Sequence, residues 1–536
     1  MPNRITSRFT AKAIAAAGLV ALGDGLFWSG GGFGSNLGLF AVLWAAATLA
    51  LAPAAWRDRR SRAAVAAAAL FCGALIDDPG LLGFALFWTA LTMAVLLPRF
   101  TAFDHAGRWL LRLAIHGMAS LFGPWIDLAR LRRHVVGRAQ FLALLRLLPL
   151  PLIGGTVFLA LFANANPVIS DALARIGLPA IDFLTIVRAI FWAILLTLVW
   201  GTLRPRRATL RLSLETPQRP FVLPGTSAGS VTLALLTFNA LFALQNGLDI
   251  AFLWSGAPLP AGVSLAEYAH RGAYPLIVTA LLAGPFVLVA LRPESQTAAM
   301  PAIRRLVVLW IVQNVFLVAS SILRTIDYVQ VYSLTELRIA ALLWMALVAI
   351  GLVLVCWRML RAKSAAWLIN ANAATALAVL AVCSLVDLGS TAAIWNVRHG
   401  REVGGQGASI DLCYLRRLGP SALTALVELQ QRPGLAPGFA DRVGWVRHAV
   451  LTDTLAAQTA GWWTWRDARR LRQVDAMLGG AKLGAPPTGP NGRDCDGARR
   501  PPPPASTQTA PTGEPQPASA PAAVAPAQAL TNEAER

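Results

Sequence analysis

Polar and charged side chains recur at helical spacing in two stretches of the chain that are otherwise apolar. The first stretch carries Asn239, Asn246 and Asp249. These three residues are 7 and 3 positions apart, so at about 100° per residue they fall on one stripe of a helix. The second stretch repeats the pattern with Gln313, Ser320, Arg324 and Asp327. Amide, carboxylate and guanidinium groups in apolar surroundings hold one another or a ligand, so the two stripes predict a polar cavity.

Further ionisable residues lie near the ends of other apolar stretches. Taken with the stripes, the residues that we predict to form one outward-facing polar cluster are Asp24, Asn239, Asn246, Asp249, Glu267, His270, Arg271, Arg324, Asp327, Glu336 and Arg338. Arg188 and Asp387 fall on the same side. The alternative is a purely structural set of interhelical hydrogen bonds and arginine–aspartate pairs. The cavity predicts that at least one carboxylate lies within about 4 Å of the guanidinium of Arg324 or Arg338.

The composition indicates the class of protein that must position these side chains. Of 536 residues, 56% are hydrophobic and only 14% are charged, whereas a soluble globular protein carries about 25% charged residues. An ordinary soluble enzyme and a mostly disordered chain are therefore excluded, and an all-α polytopic membrane protein remains. The 47 basic residues against 27 acidic ones lie largely in loops between apolar runs. That pattern is typical of membrane orientation and not of nucleic-acid binding.

Eleven apolar segments are candidates to cross a bilayer of about 30 Å. They lie near 11–28, 37–55, 63–76, 81–98, 147–164, 183–203, 229–253, 273–291, 306–323, 338–357 and 365–391. A cleaved signal peptide is the alternative for the first segment, although Asp24 interrupts it. With the N-terminus inside, 26 basic residues fall in inner pieces and 4 in outer loops. This asymmetry predicts that the N-terminus lies inside and the C-terminus outside.

Composition and periodicity divide the chain into three parts. We predict a transmembrane helical domain over 1–395, with an amphipathic inner loop over 99–146 that lies on the inner leaflet or, alternatively, docks a partner. Leucines at near-helical spacing predict a small helical domain over 396–480 on the outer, periplasmic side. The Pro- and Ala-rich tail 481–536 is expected to be disordered. Its removal from residue 485 onward should leave folding and membrane insertion intact.

Several motifs of enzymes and cofactor sites do not occur in the sequence. There is no G-x-x-x-x-G-K-[ST], G-x-S-x-G or H-E-x-x-H, and the glycine cluster over 30–34 joins two membrane segments, so it is not a dinucleotide loop. The five cysteines contain no C-x-x-C and three lie in apolar runs, so we expect neither a disulfide framework nor a zinc site. The sequence thus predicts no metal, no cofactor and no identifiable catalytic residue, and it favours a protein that is not an enzyme.

A set of short motifs is distinctive when taken together. They are Asp24-x-Leu26-Phe27 with Asn36, Asn164-Ala-Asn166-Pro167, Phe238 to Trp254, Ala266-Glu267-Tyr268-Ala269-His270-Arg271-Gly272, Tyr332-Ser-Leu-Thr-Glu336-Leu-Arg338 and Trp395-Asn396-Val-Arg398. On these residues, from the first span to about residue 430, the chain resembles a bacterial inner-membrane family catalogued as domain of unknown function 4173, with its sister 4153. The resemblance implies a multi-pass membrane protein of bacteria, and it implies no activity, substrate or catalytic residue.

Three functions remain open from the sequence. A sensor or assembly subunit needs the fewest assumptions, because its outer polar cluster would only bind a ligand or an unidentified membrane or periplasmic partner. A transporter is the second hypothesis, although no internal repeat and no paired broken helices support it. An enzyme acting on a lipid-linked substrate is the third, with Asp24 as base or metal ligand. Its difficulty is the outer loop 29–36, which is short for building such a site.

Overall fold

The protein is described here from a computed structural model. It describes residues 2–29, 31–100, 103–127, 183–205, 227–255, 300–479 and 492–500, with isolated positions between 154 and 166 and at 282. Within these ranges the elements are helices, and the one β-type pairing is an isolated bridge between Arg493 and Arg499. The protein is therefore an all-α polytopic membrane protein, as the sequence predicted.

The first group of helices comes from the N-terminal part of the chain. Its members are α1 (Pro2–Gly23, continuing as a π-helical turn Asp24–Ser29), α2 (Asn36–Ala50), α3 (Arg59–Asp77), α4 (Leu81–Leu96), α5 (Ala106–Leu121) and α6 (Phe183–Leu203). Large aromatic side chains fill the space between these helices. Among them, Phe40, Trp44 and Phe87 are fully buried. The indole nitrogen of Trp44 donates to the hydroxyl of Thr202 at 2.8 Å, which satisfies the one polar atom of that ring.

The second group consists of four long helices. They are α7 (Ala228–Asp249, continuing as a π-helical turn Ile250–Trp254), α8 (Pro301–Tyr332), α9 (Glu336–Leu360) and α10 (Ala365–Leu385). Pro301 is the first residue of α8, where its missing N–H costs no hydrogen bond. α7 packs on α8, α8 on α9, and α9 on α10, and α10 also contacts α4 and α5 of the first group. Leu235, Ile303 and Val307 are fully buried at the α7–α8 contact.

A compact helical domain follows the last membrane span. It contains α11 (Leu388–His399), α12 (Leu412–Arg417), α13 (Leu423–Gln430), α14 (Pro437–Thr459) and α15 (Trp465–Leu478). Three of these helices have an N-cap whose side chain accepts a backbone N–H of the first turn. The N-cap residues are Asp387, Asp411 and Thr464. Leu423, Leu426 and Val443 are completely buried in its core, which agrees with the leucine spacing seen in the sequence.

Most of the predicted spans correspond to helices. Seven helical stretches among the described residues are long and apolar enough to cross a membrane: Phe9–Ser29, Leu81–Arg99, Phe183–Leu203, Ala228–Trp254, Pro301–Tyr332, Glu336–Leu360 and Ala365–Leu385. The predicted spans 37–55 and 63–76 coincide with α2, which is shorter, and with α3, which begins with arginines. The predicted span 147–164 is described only at isolated positions, and 273–291 lies outside the described residues apart from residue 282.

Two expectations for the C-terminal region need correction. Cys413 and Cys495 form a disulfide with a Cα–Cα distance of 4.9 Å, although the cysteine spacing gave no sign of one. The pairing was hidden because the two cysteines are 82 residues apart in sequence. Residues 492–500 are likewise ordered, whereas disorder was predicted from 481 onward. Two ion pairs hold this stretch against α14, from Arg493 to Asp441 and from Arg442 to Asp496.

Candidate functional site

The two polar stripes predicted from the sequence meet where α7 crosses α8. Asp249 and Arg324 form an ion pair there, with 1% and 5% of their side chains exposed. The amide nitrogen of Gln245 donates to the same carboxylate oxygen of Asp249 at 3.0 Å. The expectation that a carboxylate lies close to the Arg324 guanidinium is therefore confirmed, and its partner is Asp249.

The contact between the stripes continues further along both helices. The amide nitrogen of Gln313 donates to the side-chain oxygen of Asn239 at 2.7 Å, and that of Asn246 donates to the backbone oxygen of Gln313 at 3.2 Å. Past Asp249 on α7, the indole of Trp254 donates to the hydroxyl of Ser320 at 3.1 Å, one turn before Arg324 on α8. We call this set the α7–α8 polar interface, formed by Asn239, Asn246, Asp249, Gln313, Ser320 and Arg324.

Three oxygen atoms of this interface have no hydrogen-bond donor in the described part of the chain. They are Oδ1 of Asn246, Oδ2 of Asp249 and Oε1 of Gln313, and all three atoms are buried. The orientation of the Asn246 amide is fixed, because its nitrogen already donates to a backbone carbonyl. A buried polar atom without a partner costs about 1–3 kcal/mol. Since the three atoms are all acceptors, the interface is complementary to a cation or to a hydrogen-bond donor.

Asp24 lies in a different group of helices from the α7–α8 polar interface. Its two carboxylate oxygens accept from Nε and Nη2 of Arg188 at 2.8 and 2.5 Å, and the indole of Trp192 donates to it at 2.8 Å. Arg188, which lies on α6, therefore pairs with Asp24. The single cluster predicted from the sequence is thus divided into separate sites. A carboxylate held by a bidentate arginine is poorly suited to act as a base, which weakens the hypothesis of an enzyme built on Asp24.

Glu336 and Arg338 support the turn between α8 and α9. The guanidinium of Arg338 donates to the carbonyl oxygen of Tyr332 at 2.5 Å and also to that of Ser333, which has a positive φ of 71°. The backbone N–H of Glu336 donates to the hydroxyl of Tyr414 at 3.0 Å. One of the motifs that carried the family resemblance, Tyr332 to Arg338, thus has a structural role at this turn.

A second contact fastens the same turn to the C-terminal domain. The side-chain oxygen of Asn396 accepts the backbone N–H of Leu334 at 2.7 Å, and its nitrogen donates to the carbonyl of Leu334 at 2.8 Å. The side-chain amide of Asn396 therefore satisfies both backbone groups of Leu334, as a neighbouring strand would.

Asp327 is half-buried on α8, one turn beyond Arg324, and Arg324 binds Asp249 instead. Glu267, His270 and Arg271 lie outside the described residues.

Sequence reasoning missed a charged cluster between the C-terminal domain and the membrane helices. Arg466 on α15 binds Asp77 at 2.9 Å and Asp78 at 2.8 Å, in the turn between α3 and α4. Arg469 binds Asp77 at 2.7 Å. Arg470 binds Asp467 at 2.5 Å and also Asp387, at the start of α11. We call this the aspartate–arginine cluster, formed by Asp77, Asp78, Asp387, Arg466, Asp467, Arg469 and Arg470. The paired aspartates and the basic run over 466–472 were its only signal in the sequence.

Burial shifts the pKa of two groups in this cluster. Burial raises the pKa of Asp467, and the negative charges of Asp78 and Asp77 raise it further, against a hydrogen bond from Thr464. Burial also lowers the pKa of Arg470. The folded state therefore holds the proton of Asp467 more tightly than the unfolded state does, so ionising this group as the pH rises is unfavourable to folding.

The glycine-rich loop before α2 lies directly under the segment that leads into α15. A Cβ added at Gly34 would overlap the carbonyl oxygen of Trp463, and one at Gly32 would lie 2.8 Å from the carbonyl oxygen of Gly461. Next to it, the backbone N–H of Ser35 donates to the carbonyl of Trp463 at 2.8 Å, and the N–H of Trp465 donates to the Ser35 hydroxyl at 2.9 Å. The glycines thus allow two backbones to approach closely.

Among the described residues, no group of three or more His, Cys, Asp or Glu side chains could hold a metal ion.

In comparisons with known proteins, the sequence model of a family described as Domain of unknown function (DUF4153) matches residues 63–429. DUF4153 is the sister of domain of unknown function 4173, the family that the sequence motifs suggested first. No curated protein and no solved structure matches the chain.

Proposed function

Since the chain belongs to the DUF4153 family, whose description gives no activity, we propose a function from its own residues. The protein is a membrane sensor or assembly subunit whose α7–α8 polar interface binds a small cationic or donor-bearing ligand from the outer side. The C-terminal domain, in this proposal, lies on the periplasmic face of the bacterial inner membrane and responds to the occupancy of that interface.

One observation carries the proposal: three buried acceptor oxygens at the α7–α8 polar interface have no donor among the described residues. Asn246 and Asp249 are three residues apart, which corresponds to about 4.5 Å along a helix, so one small ligand can reach both. The Asp249 carboxylate already balances the charge of Arg324. A singly charged or neutral donor would satisfy the remaining oxygens without leaving a large excess charge in the membrane.

A physical connection between this interface and the C-terminal domain supports a sensing or assembly role. Arg324 and the turn at Ser333 and Leu334 lie at the same end of α8, and the two turn residues follow Arg324 by nine and ten positions. Asn396 and Tyr414 of the C-terminal domain hold that turn through hydrogen bonds. A ligand that repositions the end of α8 relative to α7 would therefore move the contact on which the domain depends.

The proposal is tested by thermal unfolding of the full-length protein in detergent. The probes are the chlorides of sodium, potassium, ammonium and methylammonium, compared with choline chloride at equal ionic strength. We expect at least one small cation to raise the unfolding temperature with saturation, because a ligand at 100 times its Kd stabilises the folded state by about 2.7 kcal/mol. Choline carries no N–H donor and serves as the reference salt.

Matched variants make this test specific. Asn246→Leu removes one of the unpaired oxygens and should abolish the stabilisation. Asn372→Leu is the control, since Asn372 is a membrane asparagine on α10 whose nitrogen donates within its own helix, to Leu368 at 3.0 Å. If the wild-type protein responds to every salt as Asn246→Leu does, the interface binds none of these cations and the proposal fails.

A transporter is the second candidate, and the depth of the interface favours it. The polar contacts extend from Asp249 at one end of α7 to Asn239, ten residues or about 15 Å along the helix. In proteoliposomes, net uptake of the stabilising cation down its gradient would identify a transporter. Binding without uptake would identify a sensor or assembly subunit.

A further inference from the structure

A cavity of 760 Å³ opens at the end of the N-terminal helices that is remote from the C-terminal domain. It is bounded by the start of α1, the turn after α2, the end of α4 and the end of α6. Its walls combine apolar residues such as Phe9, Leu51 and Val95 with three cations, Lys12, Arg99 and Arg204. We call it the basic pocket. Since α1 runs from the basic pocket to the loop under the C-terminal domain, the pocket and that loop lie about a membrane thickness apart.

The described residues that line the basic pocket carry positive charge. Its lining contains no acidic side chain within the described part of the chain. Asp127, which does not line the pocket, accepts a hydrogen bond from Trp200 at 3.1 Å and lies 3.5 Å from Nε of Arg204. The positive charge of Arg99 contributes to a pKa of about 4 for the neighbouring His116, after burial. That histidine therefore adds no charge near neutral pH.

Two of the three cations are held by carbonyl oxygens at the end of α6, and the third lies over an aromatic ring. The ammonium of Lys12 donates to the carbonyl oxygen of Leu203 at 2.7 Å, and the guanidinium of Arg99 donates to that of Pro205 at 2.5 Å. Arg204 lies over the ring of Phe9, with its central carbon 4.7 Å from the ring centre. Cations at helix C-termini are stabilised by the helix dipole. These contacts explain the position of each cation, but they do not explain why the cations converge on one open cavity with apolar walls.

We propose that the basic pocket binds the phosphate group of an anionic membrane lipid, with the acyl chains along the apolar walls. Basic pockets between membrane helices on the inner side are suited to phosphorylated headgroups, because arginine and lysine bind phosphate by charge-assisted hydrogen bonds. The same chemistry would accept a free phosphate ion. The mixed lining, with hydrocarbon beside charge, favours the lipid. This site is separate from the α7–α8 polar interface and does not depend on it.

The experiment measures lipid retained by the full-length protein. The protein is exchanged into nanodiscs or mixed micelles that contain phosphatidylglycerol, phosphatidylcholine or both, and bound lipid is counted by native mass spectrometry. We expect retention of phosphatidylglycerol over phosphatidylcholine. The Lys12→Gln/Arg99→Gln double variant should reduce this preference at least tenfold. Arg204 is left intact, because its removal would leave the buried Asp127 without its charged neighbour.

A matched control separates the pocket from general surface charge. The Arg361→Gln/Lys363→Gln double variant removes one arginine and one lysine, both exposed, beyond the end of α9, and it should keep the preference. The two single variants, Lys12→Gln and Arg99→Gln, are measured as well and should each weaken it. They decide the result if the double variant does not fold.

A third arm distinguishes lipid from free phosphate. Sodium phosphate should stabilise the wild-type protein no more than sodium chloride of equal ionic strength if the occupant is a lipid. Stabilisation by inorganic phosphate that is lost in the double variant would support the phosphate site and reassign its occupant to a soluble anion. Equal retention of the two lipids by the wild-type protein and the double variant, without any phosphate effect, would overturn the proposal.

Discussion

Arg324 and Asp249 form an ion pair that almost no solvent reaches, between two helices that are otherwise largely apolar. Desolvating two charges costs several kcal/mol for each ion, and their mutual attraction and additional hydrogen bonds offset that cost. Gln245 supplies one such hydrogen bond to Asp249. The pair therefore constrains the crossing of α7 and α8 strongly, because neither charge can be left without the other.

Removal of one charge should be much more damaging than removal of both. Arg324→Gln leaves the Asp249 carboxylate buried without its partner, and we expect a loss of about 3–5 kcal/mol in stability. The Asp249→Asn/Arg324→Gln double variant should lose less than the sum of the two single variants. Arg305→Gln is the control, since Arg305 is an exposed arginine on the same helix. Thermal unfolding in detergent measures all four, and strictly additive losses would contradict a direct pairing.

Spacing predicted the residues of this interface but not their partners. An ionisable group inside a membrane helix must find a partner, so Asp249 and Arg324 could be selected from sequence. The partner of Arg324 could not, because the choice among Asp249, Asp327 and Glu267 depends on which helix crosses α8 at that height. Asp77 and Asp78 were missed for the opposite reason. Charges in a loop carry no energetic requirement for a partner, so nothing in the sequence distinguishes them from solvated residues.

At the scale of elements, the loop before α2 and the entry to α15 form a close backbone contact that joins the C-terminal domain to the N-terminal helices. Ser35 is hydrogen-bonded to Trp463 and Trp465 on one side and, through its hydroxyl, to the carbonyl of Ile76 on the other. Gly34 has no side chain where Trp463 passes. The glycine cluster, which the sequence identified only as something other than a nucleotide loop, is thus a docking surface for this domain.

Gly34→Ala should weaken this docking. Its Cβ would overlap backbone atoms of Trp463, which cannot rotate away as a side chain can, so we expect a loss of about 1–3 kcal/mol, as for overpacked sites. Limited proteolysis at 460–465 should become faster. Gly18→Ala is the control, because Gly18 lies on α1 with nothing within 4 Å of its added Cβ. Equal protection of both variants would argue that the loop and the segment are not in contact.

Helix existence was predictable in the described part of the chain, whereas the end of the last predicted span was not. Apolar length alone located the seven described stretches that are long and apolar enough to cross a membrane, since a lipid-exposed span must satisfy its backbone internally. The predicted last span ran to 391, but α10 ends at Leu385 and Asp387 begins α11 by capping it. The boundary is set by the aspartate side chain, which accepts the N–H of Ser390 at 2.9 Å. Hydropathy does not register such a cap, because the residues on both sides of it are apolar.

At the scale of the whole molecule, the C-terminal domain contacts membrane helices of both groups. The aspartate–arginine cluster and the Ser35 contacts join it to the N-terminal helices, and Asn396 joins it to the turn after α8. Its own fold is closed by the disulfide between Cys413 and Cys495. The domain therefore bridges the two helix groups on the side opposite the basic pocket.

Truncations should separate the ordered part of the tail from the rest. Removal of 501–536 should leave stability unchanged, because that deletion retains Cys495 and the Arg493–Asp441 pair. Removal from 485 onward deletes both, and we expect the C-terminal domain to lose about 2–5 kcal/mol, as when a disulfide that closes a long loop is removed. Membrane insertion should survive both deletions. Equal unfolding temperatures for the two truncated proteins would show that the disulfide contributes nothing to the domain.

The orientation of the whole chain can be tested through the same disulfide. Two independent arguments support the proposal that the C-terminal domain lies outside. There are 26 basic residues in inner pieces against 4 in outer loops, and a disulfide persists in oxidising compartments such as the periplasm. We expect a denatured, unreduced sample from cells to react with maleimide at Cys72, Cys356 and Cys383, and a reduced sample to react at Cys413 and Cys495 as well.

A periplasm-dependent phosphatase fused after residue 500, behind the intact domain, should be active, and one fused within 204–222 should be inactive. The fusion within 204–222 tests the membrane alternation, and the thiols test the compartment. An active fusion within 204–222 would overturn the predicted topology, since no inner loop with five basic residues should cross the membrane. A reduced Cys413–Cys495 pair in cells would place the domain on the cytoplasmic side, and the periplasmic sensor would be excluded with it.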